Sequence, residues 1–339
     1  AILTAVCGIC VSCRPSPAQP PARDSAVSEM STAEDPSMST MASSIDASTS
    51  TTLGPGFTAA GPWASFYGEA EKMGDLSKVA ATFRVLDIDA DPQDDFEGNF
   101  TDAELARLRA GGKNKVLSYL NLGSCETFRT YWSKAPSPYK PCKQLKQLGG
   151  YDGYPDEIWM DLGDLDYQAL MVEHVAARIA ARKVDGFYLD NLELVEHTAR
   201  DKNGPCSASC RQGGLDLVRK LRERYPDLLL VMQNATSDVT RTGTTGGKPF
   251  PTLLDGIAHE EVFAPTPDGT AEKELLAWQA MGLKSRDGHP FWIAALDYVG
   301  SCKNKDKADQ AFAKSQSRGF AHYASDASSG QKVICYWGR

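Results

Sequence analysis

The sequence predicts an α/β protein that consists of a single (β/α)8 TIM barrel preceded by a disordered N-terminal linker. The chain has 339 residues, a length that accommodates two average domains or one barrel of ~250 residues. From Trp63 onward, short β-rich runs alternate with amphipathic helical stretches, which favours a parallel sheet, and the number of repeats favours closure. An open doubly wound sheet is the alternative, but no Gly-x-Gly-x-x-Gly motif follows an early strand to support it.

The first 56 residues differ in composition from the rest and contain no aromatic residue. Residues 14–56 are rich in Ser, Thr and Pro and bury too little apolar surface to offset the entropy of ordering, which predicts a disordered linker. Residues 1–13 are a short apolar run that we interpret as the remnant of a secretory or lipoprotein signal, with an arbitrary fragment start as the alternative. The lipidated residue would be one of three cysteines: Cys7, Cys10 or Cys13.

Charge and composition exclude several functional classes. The net charge is −8, so a nucleic-acid partner is not expected. No run of ~18 apolar residues predicts a membrane-spanning helix. The five histidines lie far apart, and no zinc-ligand spacing, P-loop or Gly-x-Ser-x-Gly motif is present, so we expect no cofactor or metal. We expect a monomer that is secreted or held at the cell surface, with an N-terminal Cys as the lipid anchor in the second case.

The remainder, residues 57–339, is predicted to be one domain, whose elements follow from hydrophobic periodicity. Nine candidate strands compete for eight barrel positions, so one of them is wrong or extra: Trp63–Tyr67, Thr82–Asp87, Lys115–Asn121, Glu157–Asp161, Gly186–Asp190, Leu228–Gln233, Gly256–Val262, Phe291–Asp297 and Gly319–Tyr323. The predicted helices are Asp102–Ala110, Asp166–Arg182, Gly214–Tyr225, Ala271–Met281 and Lys305–Ser317.

Six cysteines belong to this domain and show no metal-ligand spacing with histidine. In an exported protein, disulfides in loops are the favoured interpretation, and free, partly buried thiols are the alternative. Pairing of sequence neighbours is one of fifteen possible connectivities: Cys125–Cys142, Cys206–Cys210 and Cys302–Cys335.

Carboxylates recur where the candidate strands end, at positions that form the active-site face of a barrel. They are Asp87, Asp89, Asp161, Asp190, Glu260, Glu261 and Asp297. Each one alone could cap a helix. Together they indicate glycosidic hydrolysis, which needs one carboxyl group as acid and a second as nucleophile or base. Strand alternation allows only one of Glu260 and Glu261 to face the barrel mouth and does not say which.

Neutral amides and aromatic rings near the same face are suited to binding sugars. The amides are Asn191, Gln233 and Asn234. The candidate stacking platforms are Trp63, Tyr119, Trp132, Trp159, Trp292 and Tyr298, although most aromatic residues are expected in the core.

Several of these segments, in the same order, resemble glycoside hydrolase family 114. The segments that carry the resemblance are Lys115–Arg129, Glu157–Leu162, Asp185–Asn191, Val231–Asn234 and the stretch around Glu260. The resemblance covers residues 60–325 and implies a TIM barrel with the activity of endo-α-1,4-polygalactosaminidases. One departure is Gln233, where the family pattern often has a Lys, and the loss of that cation bears on substrate choice.

The resemblance implies Asp190 as nucleophile and Glu260 as acid/base, and so prefers Glu260 over Glu261. It also implies that Glu126, Arg129, Asp161 and Asn234 line the cleft; Asn191 and Tyr119 are expected there on their own chemistry. We therefore expect internal cleavage of an α-linked, galactosamine-rich polysaccharide by a retaining mechanism. In that mechanism Glu260 has the higher pKa of the catalytic pair. The alternative is a non-catalytic carbohydrate-binding barrel at the cell surface.

Overall fold

The computed structural model describes residues 61–92, 98–284, 291–326 and 331–338. The predicted signal remnant, the predicted linker and the first residues of the predicted domain lie outside these described residues.

The described residues form thirteen strands. In chain order they are β1 (Trp63–Phe66), β2 (Val85–Ile88), β3 (Lys115–Asn121), β4 (Ser124–Glu126), β5 (Gln147–Tyr151), β6 (Tyr154–Met160), β7 (Gly186–Asp190), β8 (Leu229–Gln233), β9 (Thr244–Thr245), β10 (Lys248–Pro249), β11 (Gly256–Glu260), β12 (Trp292–Tyr298) and β13 (Ala321–Ser325).

The helices of the described residues surround these strands. They are α1 (Ala70–Met73), α2 (Leu76–Thr82), α3 (Asp102–Arg109), α4 (Thr130–Ser133), α5 (Leu165–Ala169), α6 (Ala176–Ala180), α7 (Ala208–Arg224), α8 (Asp238–Arg241), α9 (Gly269–Ala280) and α10 (Lys305–Arg318). A π-helical segment, Leu170–Val175, joins α5 to α6, so the two form one continuous helix. No helix within the described ranges is long and apolar enough to cross a bilayer.

Eight strands form one parallel sheet in the order β1-β2-β3-β7-β8-β11-β12-β13. Helices cover its outer face, and the sheet curves into a nearly closed barrel, so the predicted (β/α)8 fold is confirmed. Among the described strands no pairing joins β1 to β13, which leaves a seam between the first and last barrel strands. Four side chains that are almost completely buried pack inside the barrel near this seam: Trp63, Tyr188, Trp292 and Tyr323.

The extra candidate strand is Glu157–Asp161. It belongs to β6, which lies between β4 and β5 in a separate three-stranded antiparallel sheet. This side sheet is inserted between β3 and β7, which pair directly in the barrel from Leu117↔Gly186 to Asn121↔Asp190. The predicted strand overlaps β6 but begins three residues later and ends one residue later, and its strand partners could not be inferred from its own sequence.

Local sequence explains where the barrel elements begin. Thr101 and Glu104 form a capping box at the start of α3: the Thr101 side chain accepts from the Glu104 N–H, and the Glu104 carboxylate accepts from the Thr101 N–H at 2.7 Å. Arg109, the last residue of α3, donates two hydrogen bonds to the carboxylate of Asp185, each at 3.1 Å. Asp185 also accepts from the Val116 N–H at 2.9 Å, which ties the start of β7 to β3.

The structure contains three disulfides in the neighbour pairing that was predicted as one of fifteen connectivities. They are Cys125–Cys142, Cys206–Cys210 and Cys302–Cys335. The first links the side sheet to the loop before β5, and the third links the turn after β12 to the chain beyond β13. All three therefore hold connections outside the barrel strands.

Candidate active site

A cavity of about 450 Å³ opens at the carboxyl ends of the barrel strands. The residues that line it include most of those selected from the sequence: Tyr119, Glu126, Arg129, Asp190, Asn191, Asn234 and Glu260. A second cavity, of about 310 Å³, lies at the opposite end between α2, α10 and the starts of β1 and β13, and its described lining contains no carboxyl group. The chemistry that the sequence predicts is therefore concentrated in the first cavity.

Asp161 is the one predicted binding residue that does not line this cavity. Its carboxylate accepts from the Gly163 N–H at 2.9 Å and contacts Lys146 Nζ at 2.6 Å. Since Asp161 follows a strand of the side sheet rather than of the barrel, it does not reach the barrel mouth. It stabilises the turn that leads into α5.

Asp190 ends β7 at the base of the cavity. Gln233, at the end of β8, donates from Nε2 to Asp190 Oδ1 at 3.0 Å. The hydroxyl of Tyr188 donates to Gln233 Oε1 at 2.6 Å, which fixes the amide so that its nitrogen faces the carboxyl group. Burial, followed by the charge of Glu260, raises the pKa of Asp190 to about 8.

Glu260 ends β11 on the other side of the cavity. Asn234 holds it from two directions: Nδ2 donates to Glu260 Oε2 at 2.8 Å, and Oδ1 accepts from the Glu260 N–H at 3.0 Å. The hydroxyl of Tyr298 donates to Glu260 Oε1. The neighbouring Glu261 is exposed and has a left-handed backbone with φ 55°, so Glu260 is the member of the two that lines the cavity.

The structure raises the pKa of Asp190, the residue that the resemblance implies as nucleophile. Burial of the Asp190 carboxyl is the main cause, and the repulsion between the two carboxylates adds to it. The Asp190 carboxyl therefore keeps its proton to a higher pH than an exposed aspartate does. The expectation that Glu260 has the higher pKa of the pair remains a prediction.

A second group of charges lies beside the pair. The buried Arg129 contacts three carboxylates: Glu126 Oε2 at 2.7 Å, Asp89 Oδ2 at 2.9 Å and Asp91 Oδ2 at 3.7 Å. Burial raises the pKa of Glu126 to about 7 although Arg129 opposes the shift. One cation thus holds several acids together at the edge of the cavity.

Asn191 connects the barrel to the side sheet. Its backbone is left-handed with φ 59°, and its Nδ2 donates to Glu157 Oε2 at 2.7 Å and to Ser124 Oγ at 3.0 Å. Gly123 passes so close that a Cβ there would lie 1.8 Å from the Asn191 carbonyl oxygen. Glu157, which faces the cavity, was not selected from the sequence.

Two tyrosines of the side sheet form one wall of the cavity, and the sequence reasoning did not select them. Tyr151 stacks on Trp159 with ring centroids 4.1 Å apart, and Tyr154 lies 4.8 Å from Tyr151 and is exposed. Of the predicted platforms, Tyr119 lines the cavity, whereas the side chains of Trp63, Trp159 and Trp292 are buried. The segment Gly149–Tyr154, in which Asp152-Gly153 lies between two tyrosines, contained the signal for a hairpin that presents aromatic residues.

The comparisons with known proteins identify the family. Residues 44–245 match the model of glycoside-hydrolase family GH114. The chain belongs to this family. The match includes Asp190 and ends before Glu260, which is placed in the site by the fold and the cavity.

Related proteins agree with this assignment at the level of the fold. The glycoside hydrolase domain of PelA from Pseudomonas aeruginosa superposes with a TM-score of 0.61 at 16% identity, over 82% of this chain and 98% of that domain. A variant of the same domain superposes with a TM-score of 0.60.

Two relatives were found by sequence. An uncharacterized protein of Deinococcus radiodurans is 25% identical over 200 residues, which are 56% of this chain and 60% of that protein. An uncharacterized protein of Thermotoga maritima is 23% identical over 45% of this chain and 46% of its own length. The chain thus spans about half to three fifths of these two relatives.

Proposed function

We propose that the protein is a glycosidase that cleaves an α-linked, galactosamine-rich polysaccharide internally. The observation that carries the proposal is the convergence of Asp190 and Glu260, from β7 and β11, on one cavity in a chain of a glycoside hydrolase family. Glycosidic hydrolysis requires two such carboxyl groups, one protonated as the acid and one ionised as the nucleophile.

In the proposed mechanism Asp190 attacks the anomeric carbon while Glu260 gives its proton to the departing glycosidic oxygen. The glycosyl–Asp190 ester is then hydrolysed by a water molecule whose proton passes to Glu260, which restores both groups. Because burial raises the pKa of Asp190, the proposed first step requires that Asp190 has lost its proton when the substrate is bound and that Glu260 carries one.

The charge of the cavity supports a cationic substrate. Its described lining contains five carboxyl groups, on Asp89, Glu126, Glu157, Asp190 and Glu260, and two cations, on Arg129 and Lys332. Burial is the main cause of the raised pKa of Asp190 and Glu126, and repulsion from neighbouring carboxylates adds to it, so an entering ammonium group would lower both pKa values. Free galactosamine units carry such a group near neutral pH. The exposed ring of Tyr154 offers a stacking surface for a sugar beyond the pair.

The test is a reducing-end assay on an α-1,4-linked galactosamine polymer, with the fully N-acetylated polymer in parallel. The wild type is expected to release oligosaccharides from the free-amine polymer, and Asp190→Asn and Glu260→Gln are each expected to lose at least about a hundredfold in rate. Glu261→Gln makes the same chemical change at the adjacent exposed position and is expected to keep wild-type activity.

Two further readouts separate the remaining possibilities. NMR of the first product is expected to give the α-anomer, since a double displacement retains configuration; initial formation of the β-anomer would contradict the nucleophilic role of Asp190. If the wild type binds the polymer but releases no new ends, the protein is a non-catalytic carbohydrate-binding barrel, and the enzymatic proposal is wrong.

We also propose that the protein works outside the cytoplasm as a monomer, either secreted or attached to the cell surface through an N-terminal cysteine. Three disulfides among the described residues support an oxidising compartment. Fractionation and a palmitate-labelling experiment on the full-length precursor would test the location and the anchor.

A further inference from the structure

Gln331 lies beyond the last barrel strand, yet its side chain is buried in the active site. Its exposed fraction is 2%, and its backbone is left-handed with φ 40°, a conformation that residues other than glycine adopt rarely. Its carbonyl oxygen accepts from the Tyr67 N–H at 2.9 Å, just beyond the end of β1. The segment therefore lies over the carboxyl end of the β1–β13 seam.

Gln331 joins the two sides of this seam through its amide. The amide oxygen accepts from the hydroxyl of Ser65 on β1, and Nε2 donates to the hydroxyl of Tyr298 on β12 at 2.8 Å. Because the amide nitrogen can only donate, the Tyr298 oxygen accepts here, and its own proton is free for Glu260 Oε1, which it contacts. Nε2 also lies 3.4 Å from the same oxygen of Glu260.

The chain of hydrogen bonds continues inward to Asp87. Ser65 Oγ contacts both Gln331 Oε1 and, at 2.7 Å, Asp87 Oδ2, and the hydroxyl of Tyr67 donates to the same oxygen of Asp87 at 2.6 Å. Burial raises the pKa of Asp87 well above its usual range, which agrees with a protonated acid. Its other oxygen, Oδ1, has no hydrogen-bond partner among the described residues, an arrangement less costly for a neutral acid than for a carboxylate.

We propose that Gln331 is a positioning residue for the reaction proposed above: through Tyr298 it fixes the direction in which the Glu260 carboxyl faces the substrate. Asn234 donates to Oε2 of Glu260, whereas Tyr298 and, at 3.4 Å, Gln331 Nε2 donate to Oε1, so both oxygens are held. The disulfide Cys302–Cys335 keeps the segment in place, since it links the turn after β12 to the residues that follow Gln331.

The inference rests on the proposed function, and the choice of substrate isolates the acid step. Gln331→Met keeps the length of the side chain and the backbone bond to Tyr67 but removes the amide. On the galactosamine polymer, whose leaving group needs protonation, kcat is expected to fall about 10- to 100-fold with KM little changed. On α-galactosaminyl fluoride, which leaves without an acid, the rate is expected to stay within about threefold of wild type. Gln310→Met, the same change at an exposed position of α10, is the matched control.

Two outcomes would overturn the inference: equal losses on polymer and fluoride, which indicate a general structural role, or no loss on either. A double-mutant cycle adds a criterion, because Gln331→Met combined with Tyr298→Phe is expected to be no slower than the slower single variant. Additive losses would show that the two residues do not act in one chain.

A readout without turnover keeps the inference separate from the proposed activity. In protein labelled with ¹³C at glutamate carboxyl carbons, the Glu260 resonance is identified by its absence from Glu260→Gln. It is expected to shift in Gln331→Met and to remain in place in Gln310→Met. An unshifted resonance contradicts the hydrogen-bond chain, whereas a shifted resonance in a protein that cleaves neither substrate supports the chain and rejects the proposed function.

Discussion

The raised pKa of Asp190 predicts that the wild-type protein loses stability as the pH rises, relative to Asp190→Asn. An unfolded aspartate titrates near pH 3.9, whereas the folded protein holds this proton up to about pH 8. Between these values the folded state binds more protons than the unfolded state, so the free energy of unfolding falls with increasing pH. The asparagine variant lacks this term because its side chain stays neutral.

The structure sets the size of the effect. A shift of the carboxyl pKa from 3.8 to about 8 corresponds to an upper limit of about 6 kcal/mol, at 1.36 kcal/mol per pKa unit. Asp190 opens into the cavity, where solvent screens its charge, so we expect about 2–3 kcal/mol across this pH range. For a domain of this size that equals a difference in Tm of about 3–5 °C.

The assay is thermal unfolding of both proteins between pH 4 and pH 9. The Tm of Asp190→Asn minus that of wild type is expected to grow up to about pH 8 and then to level off. Asp152→Asn, at an exposed turn of the side sheet, is the control and is expected to show a constant difference. In a Glu260→Gln background the rise is expected at lower pH, since the repelling charge is gone. A difference that stays constant from pH 4 to pH 9 would refute the reasoning.

Three other substitutions test neighbouring features. Gln233→Lys places a cation beside Asp190 and is expected to lower the pKa of that carboxyl group by about 1–3, which moves the pH-dependent loss of Tm to lower pH. If the pH at the midpoint of this loss is unchanged, the new amine does not reach the carboxyl group. Gly123→Ala forces a Cβ against the carbonyl oxygen of Asn191 and is expected to cost more than about 2 kcal/mol in urea unfolding, so a near-neutral effect would contradict the close approach. Arg129→Met leaves buried carboxylates without their cation and is expected to lower the free energy of unfolding by about 3–5 kcal/mol at pH 8. The loss is expected to be smaller at pH 5, where more of these acids are protonated. Equal losses at both pH values would argue against the carboxylate charges as the cause.

The barrel strands could be predicted because each is a short apolar run that pairs with strands of the same kind. Lys115–Asn121 and Gly186–Asp190 were predicted with the bounds that the structure has. The strand predicted at Thr82–Asp87 begins only at Val85 in the structure, because Thr82 is the last residue of α2. Its β-branched side chain is compatible with both structures, and the tertiary packing decides between them.

The candidate site could be predicted only in part, because strand alternation locates residues of one strand and not contacts between distant segments. Asp190 and Glu260 lie at the ends of barrel strands and line the cavity, whereas Asp161 follows a strand of the side sheet and does not line it. Gln331 was missed because it belongs to no regular element and reaches the cavity through contacts with residues more than thirty positions away. Their catalytic and positioning roles remain predictions.

The side sheet has a consequence for how this protein can diversify. The three strands of the side sheet are inserted in the chain between β3 and β7, which pair directly with each other. The disulfide Cys125–Cys142 links the side sheet to the loop before β5. The hairpin that carries Tyr151 and Tyr154 can therefore lengthen, shorten or change its aromatic residues while the strand register of the barrel is preserved. Changes at the exposed Tyr154 can thus alter the binding surface along a polymer with little effect on the scaffold, whereas Tyr151, which stacks on the buried Trp159, couples the two.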